Sequence, residues 1–404
     1  MISRMDRRLI FGFLPSWHNL QEPPNSYDQT AVDLMQAAHT QSARASLNWD
    51  VIEPNAPVGG QHTYQWSNFD QYMDLLVARK IEPIALVVGT PWWAKAISKT
   101  GTASSVGSNY LEDTSGGLGS FGGSYDIKVT SGANVEIHRI DHSDTTHVYL
   151  VAGDSWHFAQ QGSSYEIGGH AAFVLPQEAY RASFEAFCQA AASHYQGKIR
   201  YFEFWNEPDG AACASFFNAA TYTSWLYSIH GAVTGQNPDA LISVGGLVNS
   251  DMGYLRGIYT AIAGRPDTNP DHYFDALAIH PYPLGDPPYP TPMNYTSIQN
   301  FRNELISHGD GEKSLWVTEY GWDLDRISET QQDQYLSTSL DWLFSADRYY
   351  LTVATFHVFA DQPGLHWGVC DSQLSRRAAY YSFQAYAQPR TPTWESKAPF
   401  VTLV

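Results

Sequence analysis

At its centre the chain has a strand-like run that ends in a carboxylate and a proline, Tyr201-Phe202-Glu203-Phe204-Trp205-Asn206-Glu207-Pro208. Successive side chains alternate between two faces, and Pro208 ends the run because proline cannot donate to a sheet ladder. In a barrel of parallel strands, the carboxyl ends of the strands carry the active site. We therefore interpret Glu207 as a catalytic acid, with Trp205 as a ring and Asn206 as an amide for binding a sugar. The alternative is that Glu207 caps the positive end of the following helix.

A second run has the same form, Leu315-Trp316-Val317-Thr318-Glu319-Tyr320-Gly321-Trp322. Glu319 lies 112 residues after Glu207, which leaves room for about three further strand–helix units. The two carboxylates would then end strands four and seven and face each other across the barrel mouth. Two carboxyl groups about 5 Å apart are what hydrolysis of a glycoside by double displacement requires.

Apolar, β-rich runs alternate with helical periods along the rest of the chain. This rhythm predicts an α/β fold, specifically a (β/α)8 TIM barrel. The predicted strands are residues 9–15, 43–49, 83–89, 199–205, 241–246, 276–280, 315–320 and 351–359, and the predicted helices include residues 27–40, 68–80, 177–195 and 375–388. The barrel then comprises residues 1–98 and 173–390, and residues 391–404 form a C-terminal tail.

The rhythm breaks between residues 99 and 172, which contain 12 of the 31 glycines and show no helical period. Within this segment, residues 134–140 and 146–152 alternate like two strands joined by a polar turn. We predict a β-rich insertion after strand three, containing a small hairpin and overhanging the active-site face. The hairpin carries His138, His142 and His147, but their spacing matches no metal motif, and no metal site is predicted.

Composition narrows the class of function. A formal net charge of −18 argues against nucleic acids and anionic membranes as partners, because their phosphates would be repelled. The three cysteines show neither a metal-ligand spacing nor a paired framework, and no apolar run is long enough to span a membrane. We expect a soluble chain without a cofactor and with a carbohydrate partner, cytoplasmic as written or secreted if a signal peptide has been removed. The sequence does not indicate an oligomeric state.

Together these motifs resemble clan A of the glycoside hydrolases, most closely family 39, with family 5 also similar. The pieces that carry the resemblance are Leu47-Asn48-Trp49 with Ile52-Glu53-Pro54, Thr90-Pro91-Trp92-Trp93, Phe202 to Pro208, and His280-Pro281-Tyr282. They cover the predicted barrel but not residues 99–172. The chain departs from the resemblance after helix eight, where family 39 β-xylosidases usually carry a β-sandwich. It also departs at Thr355-Phe356-His357, where many clan members have a tryptophan. Barrel-only exopolysaccharide hydrolases therefore remain an alternative.

The resemblance implies roles for the residues nearest the bond to be cleaved. Glu207 would be the acid/base, Glu319 the nucleophile, and Asn206 the group that binds the sugar 2-hydroxyl. Arg44 lies inside an otherwise apolar strand, and a buried arginine needs an anion. We expect that anion to be Glu319, with Glu203 as the alternative.

Other polar and aromatic residues follow the predicted strands. His280 is expected near Glu207, the alternative being a core histidine satisfied by the backbone, and Tyr282 is expected to donate to Glu319. Rings directly after strands can line sugar subsites, although some will simply pack. The candidates are Trp49, Trp92, Trp93, Trp322, Trp367, His18 and His357.

The predicted reaction is double displacement with retention at the anomeric carbon. Glu319 stays ionised beside Arg44 and attacks, while Glu207, in a drier aromatic setting, keeps its proton near neutral pH and donates it. The substrate is predicted to be a β-linked oligosaccharide, polysaccharide or glycoside, with exo action favoured because an overhanging insertion closes a site. An endo-acting β-glycanase, a transglycosylase and a non-catalytic carbohydrate-binding barrel are the alternatives.

Overall fold

A computed structural model describes residues 9–13, 22–248 and 252–388 of the chain. The strands are β1 (Ile10–Phe13), β2 (Ser42–Asn48), β3 (Glu82–Val88), β4 (Ile97–Thr102), β5 (Ser105–Val106), β6 (Tyr110–Glu112), β7 (Tyr125–Ser131), β8 (Asn134–Ser143), β9 (His147–Leu150), β10 (Ser164–Gly169), β11 (Tyr201–Asn206), β12 (Leu241–Leu247), β13 (Ala276–Ile279), β14 (Ser314–Tyr320) and β15 (Leu351–Phe356). The α-helices are α1 (Ser26–Ala37), α2 (Trp49–Ile52), α3 (Ser67–Ala78), α4 (Arg181–His194), α5 (Ala211–Ala214), α6 (Ala219–Gln236), α7 (Gly253–Ala263), α8 (Tyr295–Ser307), α9 (Glu329–Leu343) and α10 (Ala378–Ala387). Short 3-10 helices lie at Trp92–Ala94, Glu178–Tyr180, Pro270–His272 and Ala346–Arg348.

Eight parallel strands close into a barrel in the order β1-β15-β14-β13-β12-β11-β3-β2, which confirms the predicted fold class. Each predicted barrel strand overlaps an observed one; residues 14 and 15 of the predicted first strand lie outside the described residues. Side chains pointing inward form a small buried cluster that includes Tyr201 and Trp316, while Phe202 and Phe204 pack outward in the larger core. The alternation read from β11 therefore sorts these side chains correctly.

Residues 97–169 form a second sheet, larger than the predicted hairpin. Its seven strands follow the order β4-β10-β7-β8-β9-β6-β5, and every pairing in it is antiparallel. The two predicted strands correspond to β8 and β9, which pair as expected. A separate apolar cluster, including Ile127, Ile140 and Tyr165, is buried within this sheet. The insertion therefore has a core of its own, and the domain limits given above remain a prediction.

The insertion contacts the barrel at the loops that follow β3 and β11. Asp126 binds Lys95 at 3.3 Å and His170 at 2.7 Å, which joins β7 to both ends of the insertion. The Tyr125 and Phe216 rings lie 5.3 Å apart, and Phe216 belongs to the segment after β11. These loops surround the carboxyl ends of the strands, where barrel active sites lie.

Among the described residues, none of the helices combines the length and the hydropathy needed to cross a bilayer.

Candidate active site

Arg44 lies on β2 inside the barrel and is 2% exposed. Its Nη1 donates to Glu319 Oε1 at 2.6 Å, and its Nε donates to Glu203 Oε2 at 2.7 Å. Its Nη2 donates to Glu203 Oε1 at 3.1 Å and to Asn206 Oδ1 at 2.8 Å. Both anions considered for Arg44 are therefore its partners. The guanidinium suits this position because its planar set of donors can serve several oxygens at once.

Glu319 ends β14 and is held as a carboxylate. Tyr282 Oη donates to Glu319 Oε2 at 2.8 Å, as predicted from the sequence. Burial acts to raise the pKa of Glu319, but the positive charges of His280 and Arg44 outweigh it and lower the pKa to about 2. The carboxylate is consequently ionised at neutral pH, as a nucleophile must be.

Glu207 follows β11 directly and contacts His280. His280 Nδ1 lies 2.9 Å from Glu207 Oε1, and its Nε2 lies 3.2 Å from Thr318 Oγ1. Because the Thr318 hydroxyl donates to Glu203 Oε1 at 3.1 Å, it must accept from His280 Nε2–H. The other ring nitrogen is then free to accept a proton from Glu207 or to donate one to it.

The charge on His280 depends on both carboxylates. Burial alone would lower the pKa of His280, but the Glu319 charge and the hydrogen bond to Glu207 raise it. One side-chain oxygen or nitrogen from each of Glu207, His280 and Glu319 lies within 4.8 Å of the others. The two carboxylates predicted to face each other across the barrel mouth therefore do so.

The backbone around Glu207 is unusual for residues other than glycine. Trp205 has φ of 70° and Glu207 has φ of 46°, both in the left-handed region. Neighbouring glycines leave room for this arrangement. A Cβ on Gly246 would lie 2.0 Å from His280 Nε2, and a Cβ on Gly210 would lie 3.0 Å from the Glu207 carbonyl oxygen. Strained backbone concentrates at functional sites, and here it aims Glu207 at the cleft.

The setting of Glu207 differs from the expected one. Its side chain is 32% exposed, and its polar neighbour is an imidazole rather than a set of aromatic rings. Trp205 is 1% exposed and packs against Phe204 and Phe217. The interpretation of Trp205 as a ring for sugar stacking is therefore wrong, because its positive φ turns it into the core.

Two other predicted subsite rings are also core residues. Trp49 is 1% exposed and stacks on Phe187 at 5.8 Å. Trp322, also 1% exposed, donates from Nε1 to the Pro292 carbonyl oxygen at 2.8 Å. Both predictions are wrong, because a ring just past a strand can turn under the loops as easily as into the cleft.

The remaining predicted rings fall into two groups. Trp92 and Trp93 are half-buried; Trp92 Nε1 donates to Glu166 of the insertion at 2.8 Å, whereas Trp93 Nε1 donates to the Glu53 carbonyl oxygen at 3.1 Å. His357 and Trp367 lie beside Tyr282, the partner of Glu319, with ring centroids 6.5 Å and 5.7 Å from that of Tyr282. Binding of substrate by these four residues stays a prediction. His18 lies outside the described residues.

The histidines of the insertion do not converge on one point. His138 binds Glu136 and Asp154, whereas His142 pairs with Asp141 and His147 with Asp144. Glu136 and His138 do lie close to His157, but Glu136 already accepts from the backbone N–H groups of residues 157–159. This arrangement ties the loop after β9 to β8.

Sequence reasoning missed Thr318 as a functional residue. Its side chain is buried between Glu203, which binds Arg44, and His280, which contacts Glu207. The alternation along β14 is the signal that could have found it. By this alternation Thr318 shares the inward face of β14 with Trp316 and places a hydroxyl there.

The fold is shared with solved glycoside hydrolases. A family 39 enzyme from Bacteroides cellulosilyticus WH2 matches with a TM-score of 0.58 and 15% identity over 94% of this chain and 64% of its own. A monomeric β-xylosidase from Caulobacter crescentus CB15 matches with a TM-score of 0.60 and 14% identity over 94% and 68%. An exo-β-1,4-mannosidase from Opitutaceae bacterium strain TAV5 matches with a TM-score of 0.57 and 15% identity over 94% and 59%. The chain thus spans about two thirds or less of these structures. No curated protein matches it.

The closed parallel barrel brings two glutamates to face each other at its mouth, which is the arrangement that the sequence resemblance to clan A glycoside hydrolases implied. The model for the glycosyl hydrolase catalytic core matches residues 155–363, just over half of the 404 residues, and the chain belongs to that family.

Proposed function

We propose that this enzyme is a retaining β-glycoside hydrolase in which Glu319 is the nucleophile and Glu207 the acid/base. The observation that carries the proposal is the approach of the two carboxylates, whose nearest oxygens lie within 4.8 Å. Retaining enzymes hold their carboxyl groups about 5–5.5 Å apart, whereas inverting enzymes need about 6.5–9.5 Å to admit a water molecule between.

In the first step Glu319 attacks the anomeric carbon while Glu207 gives its proton to the leaving oxygen. Arg44 and Tyr282 bind the two Glu319 oxygens separately. Their hydrogen bonds keep the carboxylate oriented as it changes from an anion to an ester. The Asn206 carbonyl oxygen accepts a hydrogen bond from Arg44. The Asn206 amide NH₂ is then the donor for the sugar 2-hydroxyl.

In the second step Glu207 is an anion and removes a proton from the incoming water. His280 supports both states of Glu207. Its Nδ1 can accept from the protonated acid or, when the imidazole is charged, donate to the carboxylate. Water then opens the glycosyl ester at Glu319 and the β configuration is restored.

We infer exo action from the position of the insertion. Its contacts with Lys95, just after β3, and Phe216, after β11, support a position of the folded sheet beside one side of the mouth. Such a wall limits how far a polysaccharide can extend past the catalytic carboxylates. If the enzyme is exo-acting, a digest of the polysaccharide should release single sugars from the start. Random shortening of the polymer would instead indicate an endo-acting β-glycanase.

The proposal is tested with aryl β-xylosides, β-glucosides and β-mannosides, the sugars named for structurally similar enzymes. On the glycoside that is cleaved, Glu319→Ala should lose activity by at least about 10⁴-fold, and azide should restore it as the α-glycosyl azide. Glu207→Ala with azide should give the β-glycosyl azide, because azide then attacks the covalent intermediate. The anomeric configuration of the first sugar released by the wild type can be followed by NMR. A first product with the α configuration would contradict the retaining mechanism.

A further inference from the structure

His357 is a histidine beside the nucleophile that the mechanism above does not use. It directly follows β15 and is partly exposed. Its ring is met edge-on by Tyr282 at 6.5 Å and 88° and by Trp367 at 5.6 Å and 80°. Because Tyr282 donates to Glu319, a sugar attacked by Glu319 must pass close to the His357 ring.

The ring of His357 has unused hydrogen-bonding capacity. Among the described residues, neither ring nitrogen has a hydrogen-bond partner, and Nδ1 is sealed from solvent. A neutral imidazole carries one proton, on one nitrogen or the other. A buried N–H without an acceptor is rarer and costlier than a buried lone pair without a donor. The proton therefore belongs on Nε2, the nitrogen that is not sealed.

The surroundings of His357 keep it neutral. Burial lowers its pKa; the charges of Glu319 and Glu207 act to raise it, and those of His280 and Arg44 act to lower it. The net effect is a pKa below the ordinary value. At neutral pH the ring thus offers a single uncharged donor to the cleft.

We propose that His357 is a specificity-determining residue, which donates from Nε2–H to a hydroxyl oxygen of the sugar seated against Glu319. The inference rests on the proposed function for the location of that sugar. Trp367 provides an apolar wall next to this donor, and the pair selects a sugar that has an oxygen at that one position. A sugar lacking the oxygen would leave the donor unpaired, which sites built for a hydroxyl penalise heavily.

The test compares wild type, His357→Phe and His357→Gln on the accepted aryl β-glycoside and on its monodeoxy analogues. We expect His357→Phe to lower kcat/KM about 10- to 100-fold, and His357→Gln, which keeps an N–H donor, to retain more activity. For one monodeoxy analogue, the kcat/KM of the wild type should fall by the same factor relative to the full glycoside. His357→Phe should hydrolyse that analogue as well as it hydrolyses the full glycoside. Equal losses on every analogue would overturn the proposal. His142→Phe, on the exposed face of the insertion, is the matched control and should behave as wild type.

A second measurement does not depend on turnover. Nitrogen-15 NMR of the His357 ring should show the proton on Nε2 in the free enzyme, and a proton on Nδ1 would contradict the proposal. Azide rescue of Glu319→Ala does not involve His357. Its failure would therefore count against the proposed function, whereas the deoxy analogues and the ring tautomer judge His357.

Discussion

At the scale of single residues, the site depends on one buried cation shared between two carboxylates. Arg44 donates to both Glu203 and Glu319. Thr318 donates a further hydrogen bond to Glu203, and Tyr282 donates one to Glu319. Removing one member of such a buried group leaves an uncompensated charge, which costs more than the group contributes as a whole.

Arg44→Lys should move the acid limb of kcat/KM to higher pH. Glu319 is ionised above its pKa, which is held at about 2 in the native enzyme. A lysine keeps the charge but loses the multiple contacts, so the pKa rises and activity is lost earlier as the pH falls. Chemical denaturation should also show a loss of roughly 3 kcal/mol. Arg79→Lys, at a surface pair with Asp33, is the control, with an expected change below about 0.5 kcal/mol. An unmoved acid limb would contradict the assigned role of Arg44.

Gly246→Ala should impair catalysis without touching either carboxylate. The new Cβ would lie 2.0 Å from His280 Nε2 and displace the imidazole from Glu207. We expect kcat to fall at least about 10-fold, as is usual when acid–base catalysis is disturbed. Gly231→Ala is the control, because it lies within α6 with no atom in the way, and it should keep full activity. Equal activity in the two variants would show that the position of His280 is unimportant.

The hydrogen-bond partners of a side chain could be predicted from the sequence where a charged or polar residue faces the interior of the barrel. Arg44, Glu319 and Tyr282 could be placed because a charged or polar group that faces the barrel interior, or that follows a barrel strand, has few partners within reach. Trp49 and Trp322 could not, since ring direction after a strand depends on the loop, and loop conformation is set by tertiary contacts. The same dependence hides the turn of Trp205 into the core.

At the scale of elements, hydrogen bonds from Arg377 and Gln332 hold the segment after β15, which carries Trp367. Arg377 Nη1 donates to the carbonyl oxygens of Gly368 and Cys370, each at 2.9 Å, and Nη2 binds Asp361 at 2.7 Å. Gln332, from α9, donates to the Trp367 carbonyl oxygen at 3.0 Å. The loop that carries this ring is therefore held by Arg377, the N-cap residue of α10, and by Gln332 of α9.

Arg377→Met should raise KM for an aryl glycoside about 10-fold with a smaller change in kcat. The loop that carries Trp367 loses three carbonyl and carboxylate contacts, whereas the catalytic glutamates keep all of theirs. Steady-state kinetics checks the split between KM and kcat. Arg376→Met, one residue earlier and over the exposed ring of Tyr381, is the control. A fall in kcat alone would contradict this role for the loop.

The sequence predicted the elements unequally. Barrel strands could be predicted because buried parallel strands form continuous apolar runs. The insertion was under-predicted because β5 and β6 have only two and three residues, and because most residues of the longer strands β4, β7 and β10 are polar or glycine. Such short strands carry too little alternation to stand out among glycines and polar residues.

At the scale of the whole molecule, the barrel and the insertion each have an apolar core of their own, and the chain is strongly acidic. The formal net charge of −18 creates a repulsive field for polyanions. Hydrolysis of an uncharged glycoside should change less than about 2-fold between about 20 mM and about 0.5 M NaCl. Activity on a uronic-acid polymer should be low and should rise with salt. The reverse salt dependence would show that a local basic patch overrides the net charge.

The proposed mechanism requires Glu319 to form a covalent bond to the sugar. The most direct measurement is to inactivate the enzyme with the matching 2-deoxy-2-fluoro glycoside bearing a dinitrophenyl leaving group, and to map the labelled peptide by mass spectrometry. We predict one added sugar per chain, attached to Glu319 and released when an acceptor sugar is added. A label on another residue would contradict the assignment of Glu319. Complete hydrolysis of the reagent without any label, under conditions that inactivate retaining enzymes, would contradict the covalent mechanism.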